Sequence, residues 1–400
     1  MKKMLILLFV TIWTFFVPTI IPAAFAAEEL LTLDQAKELA RNSRNLQQYQ
    51  LDMETAKYRY YQAKDQYNDE KHTSYYNALN YYMYLIEQQG QGKNVDQQLE
   101  KAEQDLDAAK EKLSSDSDRI DSLKDSMEDA EDAYETSKTD NEKYLQQLDY
   151  LVEQLYTSIL NQENSLTAQR KELDYKFILL NVERKKQQLG RTTQETVDNL
   201  AVETSTLNKT IIEQQNTLNT LQGEFNDLLG REYNVPLKLA PVTVAEAVLI
   251  PTYETLLARV SQNYDGISEL EKDIAKKKDD LNDADDDEVA YQTDLIRIEI
   301  KNLELQIEDE KFNLTETVNS LITDLKIKQK NYQLAKIDQE TARKKYEWDQ
   351  NRFELGRLSK LDLLQSELDY LAIQNKSLST EYDFLLAKHS LELAEQGILL

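Results

Sequence analysis

The sequence predicts an all-α, elongated fold of long coiled-coil hairpins arranged as two internal repeats, with little or no β-structure. Three observations predict it. Apolar residues recur at threes, fours and sevens over long stretches, which is the spacing of a helical seam and not of a strand. Helix breakers are scarce outside one short window, where Pro236, Pro241 and Pro251 fall together. A tripeptide also recurs in the same setting, as Leu189-Gly190-Arg191 and as Leu355-Gly356-Arg357.

In chain order, residues 1–26 read as a secretory signal: Lys2 and Lys3, an apolar stretch from Met4 to Ile21, then Ala24-Phe25-Ala26 as a cleavage site. An uncleaved anchor is the alternative. The first helical-hairpin repeat spans 27–230, a proline-containing linker 231–251, and the second repeat 252–400. In the first repeat Leu145, Val152, Ile159, Leu166, Leu173 and Leu180 recur every seven residues, joined by Leu148, Leu155 and Phe177. In the second the stripe is Ile296, Ile300, Leu303, Ile307, Leu314, Val318, Leu321, Leu325, Tyr332 and Ala335. Helices of roughly 70 residues at about 1.5 Å rise reach on the order of 100 Å.

Each Leu-Gly-Arg ends such a helix. Glycine supplies the left-handed position that stops it, and a hydroxyl with a carboxylate three residues on starts the next, as Thr192-x-x-Glu195 and Ser359-x-x-Asp362. Both copies therefore read as hairpin tips. Leu39-Ala40-Arg41-x-Ser43-x-Asn45 aligns with Leu257-Ala258-Arg259-x-Ser261-x-Asn263. The offset is 218 there (257 minus 39) and 166 at the tips (356 minus 190), so the first repeat carries about 52 extra residues between 46 and 189. Ser114–Asp118, Asn282–Asp287 and Gly90-Gln91-Gly92 are the candidate distal turns.

A formal charge of −26 argues against nucleic-acid or anionic-membrane partners. The absence of cysteine excludes disulfides and lipid attachment through a thiol. His72 and His389 stand far apart in polar helical contexts, so they read as surface residues, and no catalytic or metal-binding constellation follows from them. Asp283-x-Asp285-x-Asp287 has the start of a calcium-loop spacing, but Glu288 occupies the turn position and Asp294 the bidentate one, so a solvated acidic turn is expected. No cofactor is expected. Tyr75, Leu79, Tyr82 and Ile86 follow helical spacing, within a tyrosine-dense stretch that also holds Tyr76, Tyr81 and Tyr84. Packing is the plain account and a partner-binding patch the sharper one.

The order of these parts resembles the TolC-like outer-membrane efflux proteins. Leu31-Thr32-Leu33-Asp34-Gln35-Ala36 is similar to the family's opening segment. Leu228-Leu229-Gly230 followed by Pro236-Leu237-x-Leu239 resembles the end of its first repeat. Phe353-Glu354-Leu355-Gly356-Arg357-Leu358-Ser359-Lys360-Leu361-Asp362-Leu363-Leu364 resembles its most recognisable stretch. That resemblance implies a non-enzymatic efflux component of the cell envelope, a homotrimer whose repeats build a twelve-helix tunnel. It implies that Leu189, Gly190, Arg191, Leu355, Gly356, Arg357, Ser359 and Asp362 form a tip docking a membrane-fusion adaptor and an inner-membrane pump. Thr196 stands where the first repeat would carry the acid matching Asp362. The alternative is a non-conducting coiled-coil rod of the envelope. The family's membrane strands need about 9 to 11 alternating residues each; only Ile296–Ile300 alternates, so the barrel is expected to be missing.

Overall fold

The computed structural model describes residues 30–72, 75–244, 249–286 and 290–400. The signal-like segment 1–26, the His72 side chain and the Asp283, Asp285 and Asp287 side chains lie outside what is described. Ten helices run through the described residues: α1 (Leu33–Arg41), α2 (Arg44–His72), α3 (Tyr75–Gly90), α4 (Asp96–Ser115), α5 (Ser117–Gln188), α6 (Gln194–Leu228), α7 (Tyr253–Asn263), α8 (Asp265–Asp286), α9 (Ala290–Glu354) and α10 (Lys360–Glu395).

Two long helices organise the rest. The 72 residues of α5 span roughly 110 Å at 1.5 Å per residue, and α9 runs 65 residues. At one end each turns back, α5 into α6 and α9 into α10. Toward the other end α2 lies antiparallel on α5, with Tyr49 stacked on Tyr144 at 3.9 Å and Tyr60 on Tyr134 at 6.3 Å. In the same way α8 returns along α9, with Lys277 paired to Glu299 at 2.9 Å. The chain closes on itself where α10 packs on both α9 and α5.

The predicted seams are the cores. Leu148, Val152, Ile159, Leu166 and Leu180 are buried in the first half, and Ile296, Ile300, Ile307, Leu314, Val318, Leu325, Tyr332 and Ala335 in the second. Burying each such side chain contributes about 1.5–3 kcal/mol. Phe177 departs from the expected stripe: it is 49% exposed, because it stands beside the seam on the side turned toward α10. The buried set repeats at an offset of 166. Leu148 answers to Leu314, Val152 to Val318, Ile159 to Leu325 and Leu166 to Tyr332, and on the return helices Val197 to Leu363 and Leu218 to Phe384.

The front helices do not keep the register of their shared residues. The N-cap of α1 is Thr32 and that of α7 is Thr252, and the fully buried pairs are Ala36 with Ala40 and Leu256 with Val260. These match at 220 (252 minus 32), whereas an offset of 218 sets buried Ala40 on exposed Ala258. The face turned to the core fixes the register, and the five shared identities do not. The first half is longer by 54 residues on this count (220 minus 166).

Those residues extend the distal end of the first half. Gly90–Val95 makes the reversal between α3 and α4, with Gly92 at φ +80°, and Asp116 marks a break between α4 and α5. All described residues from 96 to 144 except Asp116 are helical, and Ile296–Ile300 lies within α9. Among the described residues the one bridge between extended segments is Leu31 with Leu239. There the linker and the N-terminal segment exchange Leu31 N–H to Lys238 O and Ala240 N–H to Leu31 O, both at 2.9 Å. The Tyr156 hydroxyl sits between the carbonyls of Leu31 and Ala240, at 2.7 and 2.6 Å. Burial pushes that phenol up to about 12.

Candidate functional site

The two tips are built alike. Gly190 and Gly356 both adopt φ +67°, a left-handed conformation that costs an L-residue about 1–2 kcal/mol. Around Gly190 the amides of Gly190 and Arg191 bond the carbonyls of Gln187 (2.9 Å) and Lys186 (2.8 Å). Around Gly356 the amides of Gly356 and Arg357 bond those of Phe353 (2.9 Å) and Arg352 (2.7 Å). Each is the paired 5→2 and 6→1 pattern that satisfies the last carbonyls of a helix. Reversing the chain there leaves the preceding leucines in solvent: Leu189 is 70% exposed and Leu355 67%. Arg191 and Arg357 are exposed beside them.

The helix starts differ slightly from expectation. In the first tip the N-cap is Thr193, whose hydroxyl accepts the Thr196 amide at 3.2 Å. The extended residue before α6 is Thr193, at φ −87° and ψ 157°, so the cap falls one residue after Thr192. Thr193 and Thr196 then fall opposite Ser359 and Asp362 at the common offset. In the second tip Ser359 Oγ accepts the Asp362 amide at 3.1 Å and donates to its carboxylate at 2.7 Å. The acid therefore sits at the positive end of α10, and the first tip has a hydroxyl there instead.

Both tips lie at the same end of the molecule. Phe177 and Ile178 on α5 share a cleft of about 410 Å³ with Leu364 and Leu368 on α10, and Lys171 pairs with Glu367 at 3.0 Å. Leu189, Gly190 and Arg191 thus stand close along the axis to Leu355, Gly356 and Arg357, with Ser359 and Asp362 at the root of the second tip.

A second polar centre, farther from the tips, had no sequence signal. Glu153, buried on α5, accepts from Lys37 Nζ of α1 at 2.5 Å and meets His389 Nδ1 of α10 at 2.7 Å. Burial pushes its carboxyl up, but the hydrogen bonds from His389 and Lys37 outweigh this and hold it below the ordinary value. Arg41 grips Asp149 one turn away, and the Tyr150 ring meets the His389 ring edge-on at 5.6 Å. His389 is therefore not a solvated histidine. Its partner is 236 residues away in the chain, so only the fold brings them together. The centre ties three helices through a network of salt bridges and hydrogen bonds.

Among the described residues no group of three or more His, Asp or Glu side chains could hold a metal ion. No described helix is long and apolar enough to cross a membrane.

No protein-family model and no curated protein sequence matches the chain. Solved structures do. The Campylobacter jejuni CmeC outer membrane channel is 11% identical, with a TM-score of 0.53 over 69% of this chain and 68% of that one. A membrane protein from Pseudomonas aeruginosa aligns over 92% of this chain and 90% of its own at a TM-score of 0.56 and 11% identity. CusC, described in terms of folding and transmembrane channel formation, gives 0.56 and 11% over 92% of both chains. The chain has the fold of the helical body of TolC-like outer-membrane efflux channels.

Proposed function

We propose that this chain is an efflux or export component of the cell envelope, in which three copies close into an α-helical conduit that docks a pump adaptor through its Leu-Gly-Arg tips. The observation that carries this reading is a contact made once within the chain and left open once. The two halves correspond as repeats at an offset of 166, so α5 answers to α9 and α6 to α10. Inside the chain α5 meets α10, where Lys171 pairs with Glu367 and Leu378 packs on the first-half core. Among the described residues the equivalent faces, on α9 and α6, make no such helix contact and expose apolar side chains. Ile337, equivalent to Lys171, is 63% exposed, and Leu334 one turn before it 49%. On α6, Val202 and Ile212, equivalent to Leu368 and Leu378, are 65% and 55% exposed.

Setting α9 of one copy on α6 of the next repeats the internal contact. Ile337 then meets Val202, and the basic pair Arg343 and Lys344 comes opposite Asp198. Such a head-to-tail contact forms a closed ring when its rotation closes; three copies give twelve long helices. The tips of all copies would share one rim and present paired leucines flanked by arginines, a surface suited to a helical hairpin of a partner. The strong acidity favours cationic cargo along the polar lining. The role asks for no chemistry at a catalytic centre.

The test is binding of a candidate adaptor to the Arg191→Glu, Arg357→Glu double variant. Loss of binding with helix content unchanged is expected. Retained binding removes the docking role from the tips. The second reading, a non-conducting envelope rod, is favoured by the helical make-up of the distal ends, where strands of a membrane barrel would otherwise stand.

A further inference from the structure

The α3–α4 extension belongs to the first half alone, and α3 is unlike every other helix. Of its 16 residues only Glu87 is charged, in a chain whose residues are 30% charged. It carries two seams at alternating spacings of three and four. Tyr75, Ala78, Tyr82 and Leu85 form one, and this one faces α4: Leu85 is buried and the other three half-buried. The matching seam of α4 is Val95, Leu99, Ala102, Leu106 and Ala109, with both alanines buried. Small α4 residues opposite large α3 residues make a close-packed pair, and apart from Ala108 and Leu113 the rest of α4 is charged or polar.

The second seam of α3 is Tyr76, Leu79, Met83 and Ile86. Leu79 is half-buried, and Met83, at 59% exposure, and Ile86, at 45%, face away from α4. A helix with two adjacent three-four seams is patterned for two helical neighbours, and among the described residues α3 packs lengthwise on α4.

We propose that this seam packs against α3 of the other copies in the ring, so that three extensions converge on the axis and gather the distal end. This rests on the trimeric reading above. A second copy is the fitting occupant for two reasons. The spacing demands a helix, and α3 is the long uncharged surface on which copies each carrying −26 approach without like-charge repulsion. The extension occurs once per chain, so three copies present three identical seams, which is the self-complementary arrangement a homomeric bundle needs.

The chain contains no cysteine, which makes single-cysteine cross-linking clean. The protein, purified as its host processes it, is oxidised as Met83→Cys, as Tyr84→Cys, and as a Val202→Cys, Ile337→Cys pair reporting the ring. Tyr84 is 54% exposed but about 100° further round the helix. The expected result is covalent dimers from Met83→Cys at several-fold the yield from Tyr84→Cys, with the ring pair cross-linking as well. Ring cross-links without α3 cross-links overturn the convergence and leave the conduit reading standing. Absence of both, with monomeric mass, removes the two together. Protection of the Met83→Cys thiol from a water-soluble reagent only on adding phosphatidylcholine vesicles, or only on adding purified cell-wall glycan, assigns the seam to that occupant and likewise overturns the proposal.

Discussion

Buried Leu148, Val152, Tyr156, Ile159 and Leu166 of the first half answer to buried Leu314, Val318, Ile322, Leu325 and Tyr332 of the second, and the two tips keep the same glycine conformation and the same hydrogen bonds. Away from the tips they part. Where the first half places Glu153 between Lys37 and His389, the second has Asn319 at the equivalent site, and Gly223 answers to His389. At Gly223 the Tyr233 ring crosses the helix so closely that a Cβ would stand 2.1 Å from it. At the distal end one half ends in the short return of α8 and the other grows the α3–α4 hairpin. The lesson is that tip geometry is a property of the repeated hairpin, whereas the junction and the extension are properties of one half. Equivalent substitutions should therefore cost alike on the shared buried seam and at the tips, and unlike at the junction and the extension.

The largest expected effect tests the likeness of the cores. Leu148→Ala and Leu314→Ala, at 0% and 2% exposure, should each destabilise by about 2–5 kcal/mol and agree within about 1 kcal/mol, read from chemical denaturation. A cost on one side only would break the correspondence.

Next comes the unlike pair. Glu153→Gln should cost about 2 kcal/mol at neutral pH, since it leaves Lys37 without its counter-charge, and Asn319→Ala less than about 0.5 kcal/mol. The pH dependence has a definite sign. The Glu153 carboxyl is held below its ordinary value of 4.5, so its contribution is present above that value and is lost as pH falls through the lower folded-state value. Thermal midpoints of the parent and Glu153→Gln should be separated at pH 7 and converge below pH 4. A gap that widens on acidification contradicts the assignment.

Smaller effects belong to the tips. No atom lies within 4 Å of a Cβ built on Gly190 or Gly356, so Gly→Ala at either should cost only the backbone contribution, about 1–2 kcal/mol, equally in both. Smallest is Lys171→Ala: its pair with Glu367 is half exposed on the lysine side, and a loss under about 1 kcal/mol is expected.

The sequence makes the helices and tips legible because a seam needs only local spacing and a left-handed stop needs only glycine. It fails where two local signals compete. At the front helices five shared residues favour an offset of 218, while the buried faces of Ala36, Ala40, Leu256 and Val260 obey 220. At the distal end of the first half Ser114–Asp118 and Gly90-Gln91-Gly92 compete as the turn, and packing of α3 on α4 places the reversal at Gly90–Val95. His389 reads as solvated in the sequence because nothing near it announces Glu153. The docking role of Leu189, Gly190, Arg191, Leu355, Gly356 and Arg357 remains a proposal founded on exposure and resemblance.

The central claim is that the α5–α10 contact recurs between copies as α9 on α6. Light scattering after size exclusion tests it directly, on the parent and on Ile337→Asp. The account predicts three times the chain mass for the parent and the single-chain mass for the variant, with helix content unchanged. A monomeric parent, or a variant that stays trimeric, would contradict it.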